Sequence, residues 1–306
     1  MTKGVVLLTG ITGFLGSHIA EQLSLNYIVV GLVRNSSDLW RYEEIKNENI
    51  KLVNSGDKDY KKQLESFAPQ HLVHCAWSGV AADGRDCWPS QVENISFTFD
   101  LLQLAKELVI KQFIGLGSQA EYGFFSGSID ETSPCKPLSA YGAAKLATLN
   151  IVESYCSQNN MAWYWLRIFP MYGTREGITW FIPSVIKNAL ENSGMDLTGC
   201  EQQYGYLYVK QFAKAIEKIV GSEPVPGVYN VAAKGSIRLR DVIELIIKKT
   251  NTTGRFNFGA LPYRKNQVMH MEGNSDKFTN TFNVSLDSEF ETGIDELIKY
   301  YNTKLN

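Results

Sequence analysis

Short apolar segments alternate with longer amphipathic segments through the first half of this chain. The apolar segments have the length of strands, and several are apolar throughout, which is typical of strands covered on both faces. Strands are predicted at Val5 to Thr9, Ile28 to Val33, Ile50 to Val53, His71 to Cys75, Gln112 to Leu116 and Ala162 to Ile168. Helices are predicted between them, at Phe14 to Leu25, Asp59 to Phe67, Pro89 to Leu108 and Ala140 to Asn159. This order predicts an α/β fold, a doubly wound parallel sheet with helices on both faces.

The alternation weakens after Ile168, and 306 residues are enough for a second, smaller lobe. A helix is predicted near Ile182 to Glu191 within residues 169–208, and another near Gly293 to Asn302. The helix at Gln211 to Val220 and the strand at Val228 to Val231 are predicted to return to the sheet. We therefore predict a sheet domain of residues 1–168 with 209–231. A substrate lobe is expected from residues 169–208 and 232–306.

Composition excludes several classes of function. A formal net charge of −2 leaves no basic excess for extended nucleic-acid binding. No segment approaches the roughly 18 apolar residues of a transmembrane helix, and the N-terminal apolar run is too short for a signal peptide. The five cysteines have no CxxC or zinc-ligand spacing, so reduced thiols and no metal are expected. These features predict a cytoplasmic protein.

A glycine-rich turn, TGITGFLG at residues 9–16, directly follows the first predicted strand and begins the first predicted helix. Gly10 permits a tight turn, Gly13 allows the backbone to approach a pyrophosphate, and Gly16 allows close packing of helix on strand. The anion would lie at the helix N-terminus, where free N–H groups and the helix dipole favour it. This placement predicts a Rossmann-type dinucleotide-binding turn.

The end of the second predicted strand lacks the carboxylate that would bind the ribose 2′-hydroxyl of NAD. Arg34 stands there instead, followed by Asn35, Ser36 and Ser37, and these residues can bind a 2′-phosphate. NADP is therefore predicted in preference to NAD, although Arg34 as a merely solvated residue is the alternative. Asp57, after the third predicted strand, is a candidate partner for the adenine amino group.

Tyr141 and Lys145 are spaced four residues apart, and so lie on one face of a predicted helix. A nearby ammonium favours the phenolate, which brings the phenol pKa of about 10 closer to working pH for proton exchange with a carbonyl or carbinol oxygen. Ser118 ends the fifth strand, at the carboxyl edge where ligands bind in open α/β sheets. These three residues are predicted to be catalytic.

The segments TGITGFLG, GSQAEYG (117–123), YGAAK (141–145) and LRIFPMYG (166–173) resemble the extended short-chain dehydrogenase/reductase family, in its nucleotide-sugar epimerase, dehydratase and reductase branch. PGVYNVAA (226–233) and LPYRKNQVM (261–269) resemble segments of its small lobe, so the resemblance covers nearly the whole chain. It implies that Ser118, Tyr141 and Lys145 form the catalytic set and that Lys145 also holds the nicotinamide ribose. It also implies that Asn94 lies near the cofactor, that Arg264 meets the nucleotide diphosphate, and that the protein forms a homodimer.

The expected cofactor contacts extend along the carboxyl edge of the sheet. They are Gly10, Thr12, Gly13, Phe14, Leu15, Gly16, Arg34, Asn35, Ser36, Asp57, Cys75, Ala76, Trp77, Asn94, Tyr141, Lys145 and Ile168. The expected substrate contacts are Trp77, Ser78, Ser118, Gln119, Pro170, Tyr172, Gln202 and Arg264. Trp77 either stacks on a sugar or packs on the rim of the core. The aromatic residues of the small lobe either stack on a nucleobase or form a core: Tyr172, Trp180, Tyr204, Tyr206 and Tyr208.

Departures from the family pattern narrow the chemistry. Dehydratases need an acid and a base beside the serine, whereas this chain has Gln119 and Ala120 there. Glu121 is the nearest carboxylate and is expected to make a structural bond, as His74 is expected to be a satisfied core histidine. Pro170 stands where related epimerases usually have an asparagine that contacts the substrate phosphate.

These observations predict an NADPH-dependent reductase acting on a nucleoside-diphosphate 4-keto-6-deoxy sugar, at C4, in the synthesis of a deoxysugar for a surface polysaccharide. The alternative enzyme is an NAD-dependent 4-epimerase that uses the same three catalytic residues. The alternative that is not an enzyme is an NADP-sensing binding protein. Such a protein would not need a phenol beside an ammonium, so Tyr141 and Lys145 argue against it.

Overall fold

The computed structural model describes residues 3–81, 83–265, 267–287 and 290–305. A seven-stranded parallel sheet forms its centre, with strand order β12-β7-β5-β4-β1-β2-β3. Its strands are β1 (Val5–Thr9), β2 (Ile28–Val33), β3 (Ile50–Asn54), β4 (His71–His74), β5 (Gln112–Ser118), β7 (Ala162–Ile168) and β12 (Gly227–Val231). The order reverses beside β1, so the carboxyl ends of β1 and β4 flank a crevice of the kind in which α/β proteins bind ligands.

Helices cover both faces of this sheet because its strands are apolar on both sides. The helices of the described residues are α1 (Phe14–Leu23), α2 (Trp40–Glu43), α3 (Tyr60–Phe67), α4 (Trp88–Glu107), α5 (Ala140–Gln158), α6 (Phe181–Leu190), α7 (Val209–Ile219), α8 (Leu239–Thr250), α9 (Asp276–Phe282) and α10 (Phe290–Leu305). Of these, α6, α8 and α10 belong to the small lobe. In β1, Val6 and Leu8 pack with α1 and α7, while Leu7 packs with α4 and α5. The predicted Rossmann-type α/β fold is therefore confirmed.

The smaller lobe packs α6, α8 and α10 around an apolar cluster of its own, with Ile186, Ile243 and Leu297 at its centre. A four-stranded sheet joins β6 (Gly127–Ile129), β10 (Gln203–Tyr204), β13 (Ile237–Arg238) and β15 (His270–Gly273). Two short pairs complete it, β8 (Met171–Tyr172) with β11 (Leu207–Tyr208) and β9 (Met195–Asp196) with β14 (Phe256–Asn257).

The chain exchanges material between the two lobes at more points than the sequence suggests. Strand β12 pairs with β7, as predicted for the returning segment. However, β6 lies in the first half of the chain and pairs with β15 of the small lobe. In return, Phe278 and Phe282 of α9 pack into the core beneath the large sheet. The division of the chain at residue 168 remains a prediction, and these two segments lie across it.

Most predicted elements differ from the observed ones by no more than two residues at either end. The C-terminal helix α10 is three residues longer at each end than predicted. The sequence analysis did not identify α2, α8, α9 or the short strands outside the large sheet. Of these, α2 bears directly on the site. Its sequence WRYE is too short for helical periodicity to show. This omission matters because α2 carries Arg41, which lines the ligand cavity.

Two further expectations concern cysteines and membranes. All five cysteines are free of disulfide bonds, as expected for reduced thiols. Across the ranges given above, none of the helices combines the length and the apolar character that spanning a bilayer demands.

Candidate active site

A cavity of about 570 Å³ opens between the carboxyl edge of the large sheet and the small lobe. The sheet domain lines it with the glycine-rich turn, the segment after β4, the end of β5 and the start of α5. The small lobe contributes Pro170, Glu176, Trp180, Tyr204 and Tyr206. Both parts of the chain therefore contribute to one site.

The glycine turn has the geometry that a bound pyrophosphate requires. Gly10 has φ +76°, a conformation that favours glycine, and its carbonyl accepts the Gly13 N–H at 2.9 Å. A Cβ on Gly16 would lie 2.0 Å from the Gly10 oxygen. Gly13 immediately precedes α1, and Gly10, Gly13, Phe14, Leu15 and Gly16 all line the cavity. The free N–H groups at the start of α1 therefore point to an anion site.

We expect Gly16→Ala to disrupt this turn, because the added methyl group meets backbone that cannot move independently of β1. The variant should bind NADP⁺ at least about tenfold more weakly in calorimetry and lose about 1–3 kcal/mol of stability. Gly259→Ala is the control, since its φ of +83° strains an alanine while no atom lies within 4 Å of the new Cβ. Unchanged NADP⁺ affinity in Gly16→Ala would contradict the assigned role of this turn.

The predicted 2′-phosphate residues lie outside the cavity lining. Arg34, Asn35 and Ser36 are exposed, and the side-chain oxygen of Asn35 accepts a hydrogen bond from Asn54. Asp57 is also exposed. These residues lie beyond the carboxyl ends of β2 and β3, where an adenosine would extend from a pyrophosphate on the glycine turn.

Arg41 is a cavity residue that sequence reasoning missed. Its Nε donates to the Arg175 carbonyl at 2.7 Å, and its Nη1 donates to the Thr12 carbonyl at 3.2 Å. Thr12 itself does not line the cavity and instead positions Arg41 through its backbone. Burial lowers the Arg41 pKa. The one sequence signal for Arg41 is its position shortly after residues 34–37, the segment predicted to bind a 2′-phosphate.

The segment after β4 borders the cavity through Cys75 and Trp77. The Trp77 indole N–H donates to Gln91 Oε1 at 2.9 Å, and its ring lies 3.5 Å from Lys145 Nζ. Asn94 is buried and bonds both backbone groups of Ser78, at 2.9 and 3.0 Å. Asn94 thus fixes the loop that carries Trp77. Ala76, whose N–H donates to the Thr9 hydroxyl, follows the same edge.

The three predicted catalytic residues converge at the end of β5 and the start of α5. Ser118, Tyr141 and Lys145 are each less than 10% exposed, and all line the cavity. Ser118 hydrogen-bonds the Tyr141 side chain. Lys145 Nζ donates to the Leu116 carbonyl at 2.6 Å and lies 5.9 Å from the centre of the Tyr141 ring. The hydroxyls of Ser118 and Tyr141 and the ammonium of Lys145 therefore lie together at the carboxyl edge of the large sheet.

Burial dominates the proton affinities of this group. It raises the Tyr141 pKa, while the hydrogen bond from Ser118 and the charge of Arg85 lower it. It lowers the Lys145 pKa to about 7. The cation that opposes the rise at Tyr141 in this structure is Arg85, whose guanidinium lies 5.1 Å from the centre of that ring, and not Lys145 as the sequence suggested. Arg85, in the loop before α4, carried no sequence signal.

Glu121 does not face the reacting groups. It is fully buried, with Oε1 accepting from the Ser118 N–H at 2.8 Å and from the Trp165 indole at 2.9 Å. Its Oε2 accepts from Arg167 Nε at 2.8 Å. The expected structural role of Glu121 is confirmed, as is that of His74, whose two ring nitrogens contact the hydroxyls of Thr9 and Thr98.

The predicted substrate residues divide into two groups. Gln119 and Pro170 line the cavity, as does Ile168, which was predicted to contact the cofactor. Ser78 is exposed, and so is Arg264. The charge of Arg264 lowers the pKa of Tyr204, which lines the cavity. By contrast, Tyr172 is fully buried in the small-lobe core and donates to the Phe290 carbonyl at 3.1 Å.

Two expectations therefore require correction. Tyr172 contributes to the core of the small lobe and does not line the cavity. Its hydroxyl packs so closely on Gly293 that a side chain at position 293 would collide with it. Gln202 is also buried outside the cavity lining. In the aromatic set of the small lobe, Trp180, Tyr204 and Tyr206 reach the cavity, while Tyr208 packs inside with Tyr172 at 5.3 Å between ring centres.

The residues present suit a dinucleotide. The tight Gly10 turn, the contact that only a glycine allows at position 16, and the N-terminus of α1 together form a cradle for a pyrophosphate. No cluster of His, Cys, Asp or Glu in the described part of the chain has the arrangement of a metal site.

Residues 6–232 match the family model described as the NAD dependent epimerase/dehydratase family. Two curated relatives are similar along most of their length. CDP-abequose synthase from Salmonella muenchen is 26% identical over 96% of each chain. The dTDP-6-deoxy-L-talose 4-dehydrogenase (NAD(+)) of Aggregatibacter actinomycetemcomitans is 24% identical over 88% of this chain and 98% of its own.

Solved structures share the fold over nearly the whole chain. UDP-N-acetylglucosamine 4-epimerase from Methanobrevibacter ruminantium superposes with a TM-score of 0.89, at 24% identity, covering 99% of this chain and all of that one. UDP-glucuronic acid 4-epimerase from Bacillus cereus, in complex with UDP-glucuronic acid and NAD, gives a TM-score of 0.86 at 23% identity and the same coverage. At these identities the likeness establishes the fold alone.

Proposed function

Because the chain belongs to the NAD-dependent epimerase/dehydratase family, whose members modify nucleotide sugars with a nicotinamide cofactor, we propose that it is an NADPH-dependent reductase. Its substrate is a nucleoside-diphosphate 4-keto-6-deoxy sugar, and the keto group at C4 is reduced. The observation that carries this proposal is the Ser118–Tyr141 pair, which lies beside Lys145 in the cavity. Glu121, the carboxylate in the turn that follows β5, is bonded to Arg167 instead.

The chain's own residues supply the proton and the positioning. When bound, the dinucleotide supplies the hydride. Tyr141 donates its hydroxyl proton to the oxygen that becomes the alcohol, and burial keeps this phenol protonated until that moment. The single hydroxyl proton of Ser118 turns from Tyr141 to the same oxygen and stabilises its developing charge. The position of Lys145 near Tyr141 suits it to hold a ribose, and Arg85 is the cation that favours the phenolate that remains.

The locked state of Glu121 supports reduction over elimination of water. A dehydratase needs an acid and a base at the sugar in addition to the tyrosine. The two oxygens of Glu121 accept hydrogen bonds from Ser118, Trp165 and Arg167, and its side chain does not line the cavity, so this carboxylate is not placed to exchange protons with a sugar. Gln119, which does line the cavity, carries an amide that cannot exchange protons in this way.

The choice of NADP rests on Arg34. It is exposed at the carboxyl end of β2, its own N–H donates to the Ser37 hydroxyl at 3.0 Å, and no acidic side chain stands between residues 34 and 37. A guanidinium in that position pairs with a 2′-phosphate.

Arg34→Ala should weaken NADP⁺ binding about tenfold to a hundredfold, as expected for the loss of a charge-assisted hydrogen bond of about 1.5–3 kcal/mol. NAD⁺ binding should not change, because NAD⁺ has no 2′-phosphate. Calorimetric titration of both cofactors measures the difference. Lys51→Ala, an exposed cation on β3, serves as the control for a general loss of charge. Equal losses for NADP⁺ and NAD⁺ would assign Arg34 another role.

A 4-epimerase is the second candidate function, and the matching family model, whose description names epimerases, supports it. Such an enzyme would use the same Ser118, Tyr141 and Lys145 but would oxidise and reduce the sugar in one binding event. A cofactor-sensing protein is disfavoured, because it would not need a buried phenol bonded to a serine at the cavity.

One experiment distinguishes these functions. The purified protein is incubated with NADPH and 4-keto-6-deoxyglucose linked to CDP, dTDP, GDP or UDP, and loss of NADPH absorbance is followed. A reductase consumes one NADPH for each sugar reduced, with one nucleotide series preferred. An epimerase carries NAD from purification, interconverts UDP-glucose and UDP-galactose or their relatives, and consumes no NADPH. Binding without turnover of either kind of sugar would favour the sensor.

A homodimer is the expected assembly, and we propose that α4 forms its interface. Trp88, Val92 and Phe99 are exposed and, with Ile95, follow a helical spacing that places them on one face. The Phe99 ring contacts Tyr155 of α5 at 5.8 Å between ring centres, which extends the apolar face across both helices.

Val92→Glu should convert the dimer to a monomer in light scattering, because an apolar interface does not compensate the desolvation of a carboxylate. Circular dichroism should be unchanged. The control is Val109→Glu, at an exposed residue just beyond α4. A wild-type protein that is monomeric at micromolar concentration would rule out this interface.

A further inference from the structure

Glu176 is the one acidic side chain among the described residues that line the cavity, where Arg41, Arg85 and Lys145 are the cationic ones. An excess of positive charge suits the diphosphate groups of a dinucleotide and of a nucleotide sugar. A carboxylate in the same space would repel them. The presence of Glu176 therefore needs an explanation that neither the catalytic set nor the cofactor turn supplies.

The backbone around Glu176 is fixed by three separate helices. The Thr174 carbonyl accepts from His18 of α1 at 2.8 Å, and the Glu176 carbonyl accepts from the Tyr301 hydroxyl of α10 at 2.9 Å. Between them, the Arg175 carbonyl accepts from Arg41 of α2 at 2.7 Å. Every carbonyl of residues 174–176 is thus held, which fixes the backbone that carries the Glu176 side chain at the cavity.

Arg175 adds strain that only this surrounding structure can maintain. Its φ is +61°, in the left-handed region that a long side chain rarely adopts. Its guanidinium is buried and bonds His18 Nδ1 at 2.6 Å and Glu21 at 2.5 Å. Strained residues of this kind concentrate at functional sites, where the fold holds a neighbouring group in place. The neighbouring group here is Glu176.

The Glu176 side chain is incompletely satisfied. It accepts a hydrogen bond from the Gly173 N–H, whereas its Oε2 is inaccessible to solvent and has no hydrogen-bond partner within the described ranges. A buried polar atom without a partner is destabilising, and one on a residue that lines a cavity needs an explanation that the chain itself does not supply. An oxygen of a carboxylic acid can supply a proton to an acceptor, whereas a carboxylate oxygen cannot.

We propose that Glu176 is a specificity-determining residue that remains protonated and donates a hydrogen bond from its carboxyl group to a phosphate oxygen of the bound nucleotide ligand. This proposal rests on the proposed function in taking that ligand to be a dinucleotide or a nucleoside-diphosphate sugar. Both contain a diphosphate, and the glycine turn beside Arg41 places such a group at this end of the cavity.

The surroundings favour the neutral form. Burial raises the Glu176 pKa to about 8, and the hydrogen bond from Gly173 lowers it only in part. The titratable groups that face it are Tyr206 from the strand segment opposite and Tyr301 from α10, whose own pKa values are raised by burial and by Glu176. Arg41 and Arg175 are the nearby cations, and both are already bonded to backbone or to other side chains. At neutral pH the acid is therefore mostly protonated.

Binding should then depend on pH with a defined sign. Below about pH 8 the acid is protonated and donates, whereas above it the carboxylate repels the diphosphate. Affinity should fall by up to about tenfold for each pH unit above that value. Lys145, with a pKa of about 7, titrates in the wild type and in both variants alike. Glu176→Gln keeps a donor but cannot ionise, so its affinity should be close to that of the wild type at neutral pH and should fall less steeply above pH 8. Glu176→Ala should show the same shallower slope and be about five- to twentyfold weaker than the wild type at neutral pH.

The test is calorimetric titration of NADP⁺ and, separately, of CDP-, dTDP-, GDP- and UDP-glucose, from about pH 7 to about pH 9.5, where the phosphates of these ligands no longer titrate. The wild type and the two variants are compared with Glu107→Gln, an exposed carboxylate far from the cavity. A flattened profile for NADP⁺ alone assigns the contact to the cofactor diphosphate, and one for the sugar nucleotides alone assigns it to the substrate. Either result supports the proposal.

Two results would overturn it, and they are distinguishable. If the wild type binds these ligands with an affinity independent of pH, or if Glu176→Gln keeps the wild-type slope, the role of Glu176 is wrong while the proposed function stands. If the wild type binds neither NADP⁺ nor any of the sugar nucleotides, the proposed function fails and this inference fails with it.

Discussion

Tyr141→Phe is expected to lower kcat by about a hundredfold to ten-thousandfold while the affinity for NADP⁺ remains that of the wild type. The substitution removes the hydroxyl that protonates the sugar oxygen, a contribution of the size typical for general acid catalysis. The ring remains in place against Trp77, 6.2 Å away between ring centres. Steady-state kinetics with NADPH and the preferred keto sugar, together with calorimetric titration of NADP⁺, measure both quantities.

Tyr155→Phe is the matched control, because it removes a hydroxyl from the same helix at a position that does not line the cavity. It should retain wild-type kcat. Turnover by Tyr141→Phe at the wild-type rate would eliminate Tyr141 as the acid. Loss of NADP⁺ affinity together with kcat would instead show that the phenol contributes to cofactor binding, and that the kinetic loss does not isolate proton transfer.

Glu121→Ala is expected to lower the free energy of unfolding by about 3–5 kcal/mol, the usual cost of removing one partner from a buried ion pair. Glu121 is fully buried, and its two oxygens accept from Ser118, Trp165 and Arg167. The variant leaves the Arg167 guanidinium, itself only 5% exposed as a side chain, without its carboxylate. Urea denaturation followed by circular dichroism measures the change.

Glu107→Ala provides the comparison, because the Glu107–Lys61 pair has both side chains more than half exposed. A pair of this kind contributes about 0–1 kcal/mol. The loss in free energy of unfolding should therefore be larger for Glu121→Ala than for Glu107→Ala by about 2 kcal/mol or more. A Glu121→Ala protein as stable as Glu107→Ala would mean that Arg167 finds another partner or that the pair is not formed.

The strands and helices of the sheet domain could be predicted because their signals are local. Val6, Leu7 and Leu8 make both faces of β1 apolar. The turn from Gly10 to Gly16 is identified by its glycine spacing together with its place between a strand and a helix. Tyr141 and Lys145 fall on one helix face for the same reason, and Ser118 ends a strand. Each of these inferences needs only a few neighbouring residues and the period of the element.

The predictions that had to be corrected involve residues whose direction depends on the small lobe. Tyr172 lies in the core of that lobe, because α6, α8 and α10 need a buried centre, and Gln202 is buried outside the cavity lining. The exchange of β6 and α9 between lobes depends on pairings across more than one hundred residues of sequence. No local pattern specifies such contacts, since they form only when distant segments meet.

The sequence alone predicted the parallel sheet, the glycine-rich turn, the shared position of Ser118, Tyr141 and Lys145 and the structural role of Glu121. Only the tertiary structure decided which charges surround them. Arg41, Arg85 and Glu176 come from a four-residue helix, a loop and a strained turn, and they share one cavity although their separation in the sequence exceeds forty residues at each step. The physical reason is that a side chain's proton affinity and partners follow from burial and from through-space contacts. Those are set when the two lobes close around a common space.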